Sequence, residues 1–424
     1  MPSPAPAARH LAPPWWAILT LPFGLTVGFA SVAVPFVLRA RGVPMTLVAT
    51  VTGVAQLPHV IKLFWSPALD SGPRRRSWFL GAIAATALCL ALTALIPPST
   101  TEHLGPVSLL WVYAGVLFLA QAAVATSSSA VLALMAVTVP DDRRGAASGW
   151  QTSGNLVGTA VGGSLVAWML IHLSPRTTAI ALAATCLAGG IPAVFIDEAP
   201  LPRRSALHLI TDLLEEVART LRSREGWTGM LICLSPVGTG ALTNLFSALA
   251  RDYAPDDASA ERLVYVVTGL LGGVVSAAGA LAGGYLADRM NRRLAYIACG
   301  AVTALCAAGM ALGPATPVAF TVGCLGYQFA NGLCFAAFYA FILELLGKRE
   351  GVTTQLALYV GASNLAISYV TWFDGWGYDR MKALMPERAW APRAGMLGMD
   401  ALSTFVGIGM LSLVMLGLRR TRKS

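Results

Sequence analysis

The stretch Gly283-Gly284-Tyr285-Leu286-Ala287-Asp288-Arg289-Met290-Asn291-Arg292-Arg293 closes the apolar run 263–287. Crossing a hydrocarbon core of ~30 Å takes about 20 apolar residues. The stretch therefore marks where a membrane helix leaves the bilayer and turns back. Its glycine pair lets a neighbouring helix approach closely. Asp288 can cap the N-terminus of an adjacent helix, and Arg289, Arg292 and Arg293 can pair with its carboxylate across a bundle.

The same grammar appears 218 residues earlier, where Lys62-Leu63-Phe64-Trp65-Ser66-Pro67-Ala68-Leu69-Asp70 is followed by Arg74, Arg75 and Arg76. A second echo pairs Gly145 and Asn155 with Gly351 and Asn364, at an offset of 209 between the asparagines. Repeats at half-chain offset are the mark of a transporter built from two related bundles.

Outward from these anchors, apolar runs separated by charged or Pro/Gly breaks fall at 15–37, 45–64, 77–96, 107–139, 146–173 and 177–195. Six more fall at 227–249, 263–287, 294–312, 317–346, 353–372 and 398–418. The polar segment between the two sets carries Leu207, Ile210, Leu213, Leu214, Val217 and Leu221 at helical spacing. It is too charged to span and reads as a surface helix joining the halves. The predicted fold is all-α and membrane-embedded, with twelve transmembrane helices in two pseudo-symmetric six-helix bundles. The expected divisions are an N-terminal bundle at 1–196, a linker with an amphipathic helix at 197–226 and a C-terminal bundle at 227–424.

Composition agrees. Of 424 residues, 56% are hydrophobic and 12% charged, about half the charge of an ordinary soluble domain. The net charge of +9 comes from short clusters between apolar runs, which excludes a nucleic-acid stripe. With the N-terminus placed in the cytoplasm, 20 of the 30 Lys and Arg fall on that side. Both termini and the linker are thus expected there. Only four of the 30 are Lys, which points to a GC-rich bacterial genome as the source, and the expected location is a bacterial inner membrane. The Pro- and Ala-rich opening has no cleavage site after a short apolar region, so the first helix is expected to be retained. All seven cysteines lie inside apolar segments without a CxxC pair or a histidine at ligand spacing. They read as packing residues, and no metal or cofactor is expected. No nucleophile elbow, zinc motif or phosphate loop is present, so neither an enzyme nor ATP-driven transport is expected. Nothing in the sequence calls for an oligomer, and the expected partners are a small-molecule solute and the bilayer.

The stretch 283–293 resembles the loop signature of the major facilitator superfamily. The segment 60–70 resembles the second-helix end of AmpG-type muropeptide permeases and their acetyl-CoA transporter and siderophore permease relatives. Ala336-Ala337-Phe338 and Thr354-Gln355-Leu356-Ala357-Leu358 are similar to patterns in the tenth and eleventh helices of that group, and 140–168 to its fourth loop and fifth helix. The resemblance implies proton-coupled import of a polar, medium-sized solute by alternating access. It also implies a gate made by Asp70, Arg74, Arg75, Gly284, Asp288, Arg289, Arg292 and Arg293. A siderophore or other metabolite is the alternative cargo, and a non-transporting scaffold or sensor the alternative class. One departure is plain. Where that group carries acids in the fourth helix, this chain keeps Gln121 and has Ala122, Thr126 and Ser127.

The ionisable residues within the predicted spans are few. Gln56, His59 and Lys62 share a face of the second helix, and Glu344 lies near the end of the tenth. His59 reads either as a packing histidine or as a proton carrier. Lys62 is a snorkelling or a substrate lysine, and Glu344 a local ion pair or a proton carrier. Asp374 and Asp379 are expected past the eleventh helix on the outer side, as an echo of loop chemistry or as a periplasmic cap. Gln121, Thr126, Gln151, Asn155, Asn244, Tyr327, Gln328, Asn331, Gln355, Tyr359 and Asn364 complete the candidate cavity, with interhelical hydrogen bonding as the alternative use of each.

Overall fold

The computed structural model describes residues 11–70, 73–139, 144–198, 206–346 and 352–420. Ten helices in it are long and apolar enough to cross a membrane. The first is Pro14–Ala40, the second Met45–Phe64, the fourth Leu109–Met135, and the last Ala391–Leu413. Two further segments, the seventh and eleventh in order, complete twelve. Both depart from the simple pattern.

The seventh is broken. Helix Arg224–Leu234 ends at Ser235-Pro236, and the chain resumes as a short 3-10 turn, Ala241–Asn244, and a helix, Phe246–Leu249. Proline removes a backbone donor, and Gly238 and Gly240 hold φ of +53° and +71°, a region closed to most side chains. The eleventh helix runs Val352–Leu384, well beyond the run ending at Trp372. Asp374 and Asp379 are therefore helical residues and not loop residues. Their polar neighbours read as a loop in isolation, but packing of this helix along the second span supplies the stability that propensity does not.

Pairing follows two-fold logic. The third span packs on the fourth and sixth, as the ninth does on the tenth and twelfth. The first and fifth spans are pressed together by small residues. A Cβ at Gly28 would collide with the carbonyl oxygen of Thr159, and one at Gly162 with that of Leu25. Close backbone approach of this kind drives helix association where lipid removes the hydrophobic incentive. The amphipathic helix Ala206–Arg222 lies between the sixth span and the broken seventh. Its side of the molecule is called the linker face below, and the side carrying the turns after the odd-numbered spans is the far face.

Candidate functional site: a central cavity beside a broken helix

Three spans contain π-helical turns: Phe29–Ala33 in the first, Val161–Leu165 in the fifth and Leu263–Leu271 in the eighth. These turns touch one another. Wide turns of this type occur frequently at functional sites in helices. Where they meet, the fifth and eighth spans are in contact, and below them, toward the linker face, contacts between the two helices thin out. A cavity of ≈ 860 Å³ occupies that region, walled by the first, fifth, seventh, eighth and tenth spans. Its polar lining comes from Ser31, Thr159, Thr243, Asn244, Thr268, Ser276, Gln328 and Asn331, with apolar residues between them. No charged side chain lines it among the described residues.

The break in the seventh span abuts this cavity. Breaking a helix at membrane depth frees backbone groups that must find partners inside the protein. Tyr369 donates to the carbonyl of Leu234 at 2.6 Å, and Tyr296 donates to that of Val237 at 3.0 Å. A Cβ at Gly240 would collide with Asn331, so the bare backbone there lets the asparagine sit against the broken chain. Asn331 Oδ1 is buried without a hydrogen-bond partner among the described residues. Leaving that acceptor unmet beside the cavity costs about 1–3 kcal/mol.

The other sequence candidates are placed elsewhere. In the N-terminal half, His59 Nε2 meets Gln121 Oε1 at 3.0 Å, and Gln121 Nε2 donates to the carbonyl of Thr26 at 3.0 Å. Because Gln121 Oε1 can only accept, His59 donates from Nε2. Phe23 packs edge-on to the imidazole at 6.0 Å, and Asn364 of the eleventh span donates to the His59 carbonyl at 3.4 Å. Trp65 Nε1 donates to Thr126 at 3.0 Å. Gln56, Lys62, Gln151 and Asn155 are partly buried, and Asn155 Oδ1 has no partner among the described residues. Tyr359 is buried and donates to the Gly226 carbonyl at 3.4 Å. Of the cavity candidates, Asn244, Gln328 and Asn331 line the large cavity together, whereas Tyr327 is turned away from it.

On the linker face, Arg75 pairs with Glu198 at 3.3 Å, and the backbone N–H of Arg76 donates to the same carboxylate. Arg293 lies over the Phe341 ring at 5.8 Å. Among the described residues, none of these contacts joins the N-terminal bundle to the C-terminal one. Arg74 and Arg289 are exposed, and Arg292 is partly buried. The side chains of Asp70, Asp288, Glu344 and Gln355, and Gly284 with them, lie outside the described residues.

Contacts between halves gather on the far face. Arg39 faces Asp252 at 3.7 Å and donates to Tyr378 at 2.6 Å. Asp379 accepts from the backbone N–H groups of Met45 and Thr46 at 3.2 and 2.7 Å, capping the second span from the eleventh. Thr46 Oγ1 donates to the Gly375 carbonyl at 3.3 Å, and His172 meets Glu261 at 3.1 Å. At the start of the eighth span, Ser259 N–H donates to Asp256 and holds that exposed carboxyl below the usual carboxylate range. The far face is shut by these contacts.

Two acids outside the sequence-derived candidates, Asp374 and Asp400, are buried in the C-terminal half. Asp374 is fully buried, and neither of its oxygens has a hydrogen-bond partner among the described residues. Its charged neighbour is Asp400 of the twelfth span, which is 1% exposed. Tyr327 is held by the two oxygens of Asp400 at 3.1 and 3.2 Å. The only sequence signal was the helical spacing of Thr371, Asp374 and Tyr378, legible only once the eleventh helix is continued past Trp372.

A family model, the Major Facilitator Superfamily, matches residues 16–371. The chain belongs to this superfamily. It is a transporter by family and not an enzyme. Solved structures carry the same fold at low identity. A nucleoside transporter, NupG in a point-mutant form, superposes with a TM-score of 0.72 at 13% identity, covering 94% of this chain and 98% of that one. A bacterial homolog of the human lysosomal transporter Spinster, inward-facing and occupied, gives 0.69 at 12%, over 94% and 95%. The xylose transporter XylE from E. coli, inward open, gives 0.61 at 14%, over 93% and 94%.

Proposed function

We propose that this facilitator is a proton-coupled importer of a solute whose bound part is uncharged and rich in hydroxyl and amide groups. The observation that carries the reading is the cavity beside the broken seventh span, with neutral hydrogen-bonding groups, apolar walls and the unmet acceptor of Asn331. A site without ionised groups does not repay the desolvation of a charged solute, whereas a saccharide brings donors and acceptors together with apolar ring faces. The AmpG-type motifs support an N-acetylated saccharide of the anhydro-muropeptide kind as the first solute to test.

Alternating access is supported by the asymmetry of the contacts. The far face is tied shut by Arg39, Asp252, Tyr378 and Asp379, while the cavity lies in the gap on the linker side. The distribution of Lys and Arg supports a cytoplasmic linker face in a bacterial inner membrane, so the conformation reads as inward-facing. Two of the similar structures are inward-facing as well. The protein works as a monomer in this reading, with its solute path enclosed by one chain.

The test is uptake of labelled anhydro-muropeptide and of neutral sugars into proteoliposomes, with and without an inward proton gradient, comparing the parent with Asn331→Ala. Gradient-driven uptake whose KM rises in the variant supports the assignment. Uptake with an unchanged KM removes the cavity from the solute path, and absence of saccharide uptake overturns the solute class.

A further inference from the structure

We propose that Asp374 and Asp400 form a proton-binding pair that sets the far-face gate, extending the alternating-access reading above. The pair is fully buried on adjacent helices of the C-terminal half, and both Asp374 oxygens lack a hydrogen-bond partner among the described residues. From the tenth span the Tyr327 hydroxyl donates to Asp400 at 3.1 and 3.2 Å. Among the described residues, no basic side chain forms an ion pair with either carboxylate. Removing a carboxylate anion from water without a partner costs several kcal/mol, and two anions side by side repel in addition. A proton on the pair relieves both.

The pair sits between gate and cavity. One turn before Asp374, Thr371 accepts from Asn244, which lines the cavity, at 3.3 Å. Directly after Asp374, the Gly375 carbonyl accepts from Thr46 of the second span, and Asp379 five residues on caps that span. One helix thus holds the acid on one side and the far-face closure on the other. Parting the second and eleventh spans removes the packing that keeps the far end of the eleventh helix dry.

The sign follows by linkage. The closed state excludes water and favours the protonated pair, while an open far face hydrates the acids and tolerates the anion. Raising pH therefore favours opening, and a proton taken up from the far side favours closure. No covalent step is involved.

The experiment needs no solute, so it stands or falls apart from the solute assignment. Spin labels are placed at Arg41→Cys and Glu387→Cys on the two far-face turns, with the native cysteines replaced. Their separation is measured in lipid across pH by double electron–electron resonance, and the carboxylic acid C=O band is followed by infrared difference spectroscopy. The expected result is a separation that lengthens with pH as the acid band fades. Asp374→Asn and Asp400→Asn, each mimicking the neutral acid, should stay short at every pH. If one variant fails to fold, the other carries the same test, and the parent's band shift remains informative. A full pH response in the folded variant or variants, no pH response in the parent, or a separation that follows sodium at fixed pH would overturn the proposal.

Discussion

Two buried polar clusters, one in each half, stand in contrast. Around His59 every described polar contact is met. The imidazole has Gln121, the amide has the Thr26 carbonyl, and the His59 carbonyl has Asn364. Around Asp374 the account does not close, because both carboxylate oxygens are orphaned beside a second acid. A satisfied network holds one arrangement rigidly. An unsatisfied one stores a cost that a proton or a conformational change can remove. On the proposal above, the first cluster packs and the second responds to protons, although the histidine is the more conspicuous group in the sequence.

Substitutions can break or sharpen that contrast. The largest effect is expected for Asp374→Asn, which should reduce both proton-driven accumulation and solute-for-solute exchange in proteoliposomes to the passive level, because its far face stays closed. Retention of gradient-driven accumulation would move the proton elsewhere. Next comes Gly240→Ala at the broken seventh span. Its positive φ costs an L-residue about 1–2 kcal/mol, and the new methyl meets Asn331. Thermal unfolding in detergent should shift downward and the KM rise.

His59→Leu should cost about 1–3 kcal/mol by orphaning Gln121 Oε1, again read by thermal unfolding. The pH profile of transport should keep its shape in this variant, and a changed profile would give the histidine a share in coupling. The smallest effect is expected for Trp65→Phe, which removes the bond to Thr126. About 0.5–1.5 kcal/mol of stability should be lost with no change in KM.

Much of the architecture was legible in the sequence because a bilayer imposes length and apolarity directly on the chain. The run 317–346 coincides with helix Pro317–Leu346. The break in the seventh span was legible in principle, since Ser235-Pro236-Val237-Gly238-Thr239-Gly240 is a turn signal, but the apolar residues around it carried the reading through. The eleventh helix was cut short for the opposite reason. Its polar end is stabilised by contacts with the second span that no local pattern encodes.

The sites divide in the same way. Asn244, Gln328 and Asn331 could be named because neutral polar residues in spans are few. Which of them converge depended on helix rotation. The buried acids were missed because Asp400 lies 26 residues beyond Asp374, on the far side of a turn, and only the twelfth helix packing on the eleventh makes them neighbours.

The most direct test of the transport cycle is to bridge the far face. With native cysteines replaced, Thr46→Cys and Asp379→Cys can be joined by a short bis-methanethiosulfonate reagent, which forms a disulfide with each thiol, and uptake of the labelled saccharide measured before and after reduction. The expected result is no uptake with the bridge closed and recovery once it is cut. Undiminished uptake through the bridged protein would contradict a cycle that opens between the second and eleventh spans.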